Sequence, residues 1–166
     1  MSHAFRFALA FTLRQEDARE ETAVTAVDLG DGQGLTKYGI GQGAHPEVDV
    51  ATLTLEQAIA VYRGAYWEAL HLDQLPLPVA VMAFDAAVNQ GPTTAMKLLQ
   101  SALGVPMDGV LGPITAQAAR TQPEALFDYY VARRVRYKTL ASFPRFGAAW
   151  LARLRRCLRY CEGLPA

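Results

Sequence analysis

Carboxylates are the side chains of this chain whose type and spacing could do chemistry. Glu16 closes an apolar run, "FALAFTLRQE", and Asp28, Asp31 and Thr36 follow in a glycine-rich stretch, "DLGDGQGLTKYGIGQ". A carboxyl group held near apolar side chains keeps its proton and can give it to a leaving oxygen. A second carboxylate, or a held water, completes a displacement at a sugar carbon. Any acidic helix end offers half of this pattern. The plainer reading of Glu16 is a solvated acid beside Arg14 or Arg19, and the plainer reading of Asp28 and Asp31 is turn formation through their own side chains.

Other reaction classes lack parts. His3, His45 and His71 lie in unrelated contexts, and no nucleophile elbow, phosphate loop or dinucleotide fingerprint appears. Cys157 and Cys161 are spaced i, i+4 in a segment that reads as helix. That spacing rarely bridges and, without nearby histidines, makes no zinc site. Neither a metal nor an organic cofactor is expected.

The elements that must position the carboxylates are mostly helical. Residues 4 to about 20 suit an amphipathic helix, with Phe7, Ala10, Phe11 and Leu13 at near-helical spacing. From Thr22 to about Pro46, β-branched residues alternate around glycine clusters, which predicts a hairpin or small irregular β lobe. Thr54 and Gln57 form a capping-box signature for a helix with Leu55, Ala58, Ile59, Tyr62 and Tyr66 on one face. Pro78, Pro92, Pro113 and Pro123 each stand where a helix should open. "SFPRFG" reads as a break before a last helix over about 148–160. The fold class expected is α+β, mostly α, with a small N-terminal β lobe. Tyr38, Tyr62, Tyr66 and Trp67 could floor a sugar site, although aromatics at helical spacing more often fill a core.

Several separated motifs resemble one family in its order. "FALAFTLRQE", "DLGDGQGLTKYGIGQ", "LTLEQAIAVYRGAYWEAL", "LPLPVAVMAFDAAVNQGP", "AMKLLQSALGVPMDGVLGPITAQA" and "FPRFGAAWLARL" together are similar to the glycoside hydrolase family 108 lysozymes, the secretion-activator-like N-acetylmuramidases. The resemblance implies a lysozyme-like fold and cleavage of the glycan strand of bacterial peptidoglycan. It implies Glu16 as catalytic acid, Asp31 and Asp28 as the lobe aspartates, Thr36 as the lobe threonine, and Asp85 and Asn89 as positions of the central helix that could bind substrate; Tyr38, from the aromatic set above, is the third substrate-binding candidate. It further implies a catalytic part over 1–90 and a peptidoglycan-binding helical part over 91–166, with Asp108, Gly109, Gly112 and Pro113 on the turn of the latter. The chain departs from the family where Asp17 and Ala18 stand in place of two glycines. Its spacing from Glu16 to the first lobe aspartate is also longer, so Glu20 or Glu21 could supply the acid instead.

Charge agrees with an anionic partner for one half. Residues 1–90 hold twelve acids and five bases, and residues 91–166 hold four acids and eleven bases, so the net charge is zero over two opposite poles. The bland alternative is arginines that coat helices and pair with the acidic half. A nucleic-acid role for the last helix has no motif behind it. The apolar run near the N-terminus is too short to span a membrane and has no cleavage site. The expectation is a monomer without stable membrane insertion, made in the cytoplasm without a signal peptide and reaching the wall after release or export. A lysozyme fold that lost its reaction but kept its glycan groove is the second reading.

Overall fold

Prolines and one threonine decide where the helices begin. The computed structural model of the chain describes residues 2–17, 25–28 and 34–165, with the side chains among them except at positions 16 and 17. Seven α-helices are present among these residues: α1 (His3–Asp17), α2 (Leu55–Val61), α3 (Leu77–Gln90), α4 (Pro92–Leu103), α5 (Pro113–Thr121), α6 (Ala125–Lys138) and α7 (Phe143–Glu162). Pro78, Pro92, Pro113 and Pro144 occupy the first turns of α3, α4, α5 and α7, where a missing N–H costs nothing. A three-stranded antiparallel sheet, β1 (Val27–Asp28), β2 (Leu35–Lys37) and β3 (Ile40–Gly41), lies in sequence order. The fold is therefore of the class expected, α+β and mostly α with a small sheet near the N-terminus.

By its internal contacts the chain divides into two compact units: residues 9–65, and a helical unit of residues 1–8 with 66–166. In the first, the Thr54 hydroxyl accepts from the Gln57 N–H while the Gln57 side chain accepts from the Thr54 N–H, the reciprocal box that starts α2. Gln42 ties the loop before it. Its amide donates to the carbonyls of His45, Pro46 and Val48, and its oxygen accepts from the Val50 N–H. Beyond Val61 the helix widens into π turns over Tyr62–Glu68. The extra residue per turn changes the buried phase. Tyr62 and Trp67 are buried and Tyr66 is only half-buried, whereas a regular helix would have turned Tyr66 inward.

In the helical unit α3 is the axis. Every residue from Val79 to Ala87 is buried, the pattern of a helix covered on all sides. It packs on α4, α6 and α7, and α5 closes on α4 and α6. Phe5, Trp67 and Phe84 form an aromatic cluster at one end, and the Tyr160 hydroxyl donates to the Phe7 carbonyl. The loop after α4 is held by Gln100, which is buried. Its amide donates to Asp108 Oδ1, the Val110 carbonyl and Thr115 Oγ1, and its oxygen accepts from the Gly109 N–H. Gly109 has φ +83°, and a Cβ there would press on Thr93 at 3.3 Å. In this structure the Asp108–Pro113 turn is thus a braced connection between helices.

The last helix corrects the sequence reading. "SFPRFG" does not break it: α7 begins at Phe143, because Pro144 falls in the first turn. Gly147 stays inside the helix for a packing reason, since a Cβ there would lie 2.5 Å from the Phe143 ring. Helix propensity alone favours Gly147→Ala by about 1 kcal/mol. Overpacking of the ring costs about 1–3 kcal/mol. The expected outcome is a lower melting temperature for Gly147→Ala by thermal denaturation; a rise would show that the ring moves aside freely.

Candidate functional site

The hairpin sets the geometry of the lobe. Lys37 pairs with Ile40, so Tyr38 and Gly39 are a two-residue loop with φ of 52° and 75°. Two positive values define the mirror-image turn that suits the twist of the strands, and asparagine followed by glycine is its preferred sequence. Tyrosine in a left-handed conformation costs about 1 kcal/mol or more. Its carbonyl is fixed by the Tyr62 hydroxyl at 2.9 Å, and Lys37 Nζ lies 5.5 Å from its ring centre. The side chain is half-buried. A strained tyrosine presented on a turn is a feature that strand formation does not require.

Register decides which lobe residues can work together. Val27 pairs with Thr36, and Asp28 with Leu35. Directly paired residues share a face and successive ones alternate, so Asp28 and Thr36 stand on opposite faces of the pleat. Asp28 is exposed. On its other side Thr36 pairs with Gly41, whose lack of a side chain leaves that flank of the hydroxyl bare. Glu20, Glu21 and Asp31 lie outside the described residues, as does the side chain of Glu16, whose backbone forms the last turn of α1.

Asp85 and Asn89 are placed by α3, one turn apart. Asp85 is wholly buried, with its Oδ2 accepting from Arg133 Nη2 at 2.8 Å and its Oδ1 from Arg153 Nε at 2.9 Å. Burial pushes its pKa up, but the Arg153 and Arg133 guanidiniums outweigh that and hold it below the usual carboxylate range. Burial disfavours the charge on Arg133 too, and Asp85 reverses the balance, so that arginine stays charged. Asn89 Nδ2 donates to the Asp85 carbonyl at 2.6 Å and to its Oδ1 at 3.2 Å. Asp85 thus has no surface of its own with which to touch a ligand, whereas Asn89 is exposed. Cys157 and Cys161 are buried free thiols nearby in sequence to Arg153, and burial pushes the Cys157 thiol well up, into its inert form.

The sequence reading missed Arg133 and Arg153. The signal was there for Arg133, since Tyr129, Arg133 and Tyr137 recur at i, i+4, i+8 and all three are buried. A charge inside such a stripe demands a buried partner. Of the aromatics proposed as a sugar floor, Tyr62 and Trp67 are core, and the Trp67 indole donates to Asp73 Oδ2 at 2.8 Å.

The glycosyl hydrolase 108 family pattern matches residues 18–91, a stretch that holds Glu20, Glu21, both lobe aspartates, Thr36, Tyr38, Asp85 and Asn89 and begins just after Glu16. The structure of Brucella abortus SagA is similar over 95% of this chain and 93% of its own, at 30% identity and a TM-score of 0.83. No curated protein matches the chain.

The ion triad makes a pH prediction. A carboxylate whose folded pKa is depressed adds stability that is complete above the unfolded value of about 3.9 and is lost as pH falls through the folded value. Asp85→Asn leaves two arginines without their counter-charge and should cost about 3–5 kcal/mol at pH 7 in urea unfolding. Its loss of stability between about pH 5 and the acid limit should be shallower than in the wild type. A variant as stable as the wild type at pH 7 would show that the triad contributes nothing net.

Proposed function

Since the chain belongs to the glycosyl hydrolase 108 family, we propose that it is a peptidoglycan hydrolase of the muramidase type, cutting between N-acetylmuramic acid and N-acetylglucosamine. The observation that carries this reading is the match over 18–91, which spans a lobe where a bare-flanked threonine and a strained tyrosine are presented from one hairpin. A carboxylic acid protonates the glycosidic oxygen, and a lobe carboxylate with Thr36 orients water or stabilises positive charge on the sugar. The register puts Asp28 and Thr36 on opposite faces of the pleat, so Asp28 is the weaker of the two aspartates as a partner for that hydroxyl.

The acid is one of Glu16, Glu20 and Glu21. Glu16 is the position given by the resemblance of the first helix. The extent of the family match supports Glu20 and Glu21 at equal standing, because it begins at residue 18. Residues 91–166 would bind the wall: their exposed Arg134, Arg136, Lys138, Arg145, Arg155, Arg156 and Arg159 suit an anionic polymer. The chain would act at the wall as a monomer, after release or export, and needs no cofactor for this chemistry. The second reading, a binding module without a reaction, keeps the same surface and loses only the proton donor.

Two measurements test the proposal. Purified walls are digested with the wild type and with Glu16→Gln, Glu20→Gln and Glu21→Gln, and reducing-end-labelled products are read by mass spectrometry. New reducing muramic ends should appear with the wild type and fall at least about a hundredfold in one variant alone. Wall binding with no new ends would make the chain the inactive module instead. In Tyr38→Asn the turn should hold or gain up to about 1 kcal/mol, while wall digestion falls. Unchanged digestion would reduce Tyr38 to a turn residue.

A further inference from the structure

A cavity of about 180 Å³ opens in the helical unit between the end of α3, α4, the end of α6 and α7. Its walls carry Asn89, Gln90, Thr94, Arg136, Tyr137 and Trp150. That volume is several times a water's share of about 30 Å³, and it suits one sugar ring. Tyr137 is buried beneath Trp150, with ring centres 5.3 Å apart and planes 25° apart, while Trp150 keeps part of its surface open. Phe146 packs on the same indole, with ring centres 5.8 Å apart and planes 32° apart, and the part of the fixed indole left open offers an apolar surface at little entropic cost.

The amides beside it are set by the buried ions. Asn89 gives its Nδ2 to Asp85, which leaves its Oδ1 as an acceptor to which no described residue donates. Gln90 accepts at Oε1 from Arg133 Nε at 3.1 Å, which fixes the opposite sense for its amide. Gln90 Nε2 is then a buried donor with no partner among the described residues. Buried donors are rarely left unmatched, and an orphan on a cavity wall marks what the cavity is built to receive. An acceptor and a donor on adjacent residues suit the N–H and C=O of one secondary amide. Arg136, exposed at the rim, adds a positive charge.

We infer that this cavity is a glycan subsite for an N-acetylated sugar carrying a carboxylate, its ring on Trp150, its acetamido group between Asn89 and Gln90, and its carboxylate at Arg136. N-acetylmuramic acid has this chemistry. The source of the sugar rests on the peptidoglycan reading above; the subsite itself rests on the cavity.

The test uses the full chain and the N-acetylglucosamine–N-acetylmuramic acid disaccharide. Its binding is followed at the Trp150 indole N–H by NMR, assigned with Trp150→Phe; Trp67, which is buried, is the internal control. The disaccharide should shift the Trp150 signal saturably, and its de-N-acetylated form should not. Gln90→Leu should weaken binding about tenfold or more. Because Gln90 also meets Arg133, Arg136→Gln provides a variant at an exposed position. It should weaken binding of the muramic disaccharide and leave binding of uncharged diacetylchitobiose as it was. A silent Trp150, a shift given equally by the de-N-acetylated sugar, or a shift given only by a stem peptide overturns the inference. Wall digestion is scored separately. Cutting with a silent Trp150 removes the subsite and leaves the function, and a responsive Trp150 without cutting does the reverse.

Discussion

One buried carboxylate holds the helical unit to its geometry. Asp85 lies on a helix that is apolar on every side, and it is matched by two guanidiniums from α6 and α7. Two ions out of water cost several kcal/mol each unless geometry and hydrogen bonds compensate. Here they do: both oxygens of Asp85 accept charged donors, and Arg133 also reaches the Met82 carbonyl and Gln90. An all-apolar contact among α3, α6 and α7 would tolerate sliding. A fork of fixed length does not, and it passes its constraint outward to Asn89 and Gln90, one turn along α3. The polar wall of the cavity is therefore set from within the core.

The lobe is organised on a different principle. Its sheet has strands of two or three residues, too short to bury much. Hydrogen bonds from side chains replace that burial. Gln42 closes one loop, and the Tyr62 hydroxyl clamps the carbonyl of a left-handed Tyr38. Strain at Tyr38 is tolerated because the surroundings over-determine it.

Much of this was legible in the sequence where the signal was local. The capping box at Thr54 and Gln57 and the prolines at 92 and 113 are each written in a few adjacent residues and appear where read, and among the described residues the β texture before Pro46 appears as three short strands. The misses have physical causes. Pro144 looked like a stop, but proline stops a helix only beyond its first turn. The inward phase passed from Tyr66 to Trp67 because π turns add a residue, which no periodicity count at 3.6 anticipates. Arg153 as partner to Asp85 needed the packing of α7 on α3, a contact between residues 68 apart in sequence. Of the candidate site, Asn89 and Tyr38 lie at positions open to solvent or half so, whereas Asp85 is enclosed with its two arginines.

The order in which the chain is made gives the triad another meaning. Residues 9–65 are continuous in sequence. The helical unit is not: it draws on residues 1–8 and on residues 66–166, and the tyrosine that bonds Phe7 lies 153 residues further along the chain. Asp85 likewise waits 48 residues for Arg133 and 68 for Arg153. Until α7 leaves the ribosome, a nascent chain holds a carboxylate that cannot enter a core without its counter-ions. Closure of the unit waits for α7, and a chain cut short before α7 lacks both Arg153 and Tyr160, so it is left with an open bundle rather than a smaller finished one.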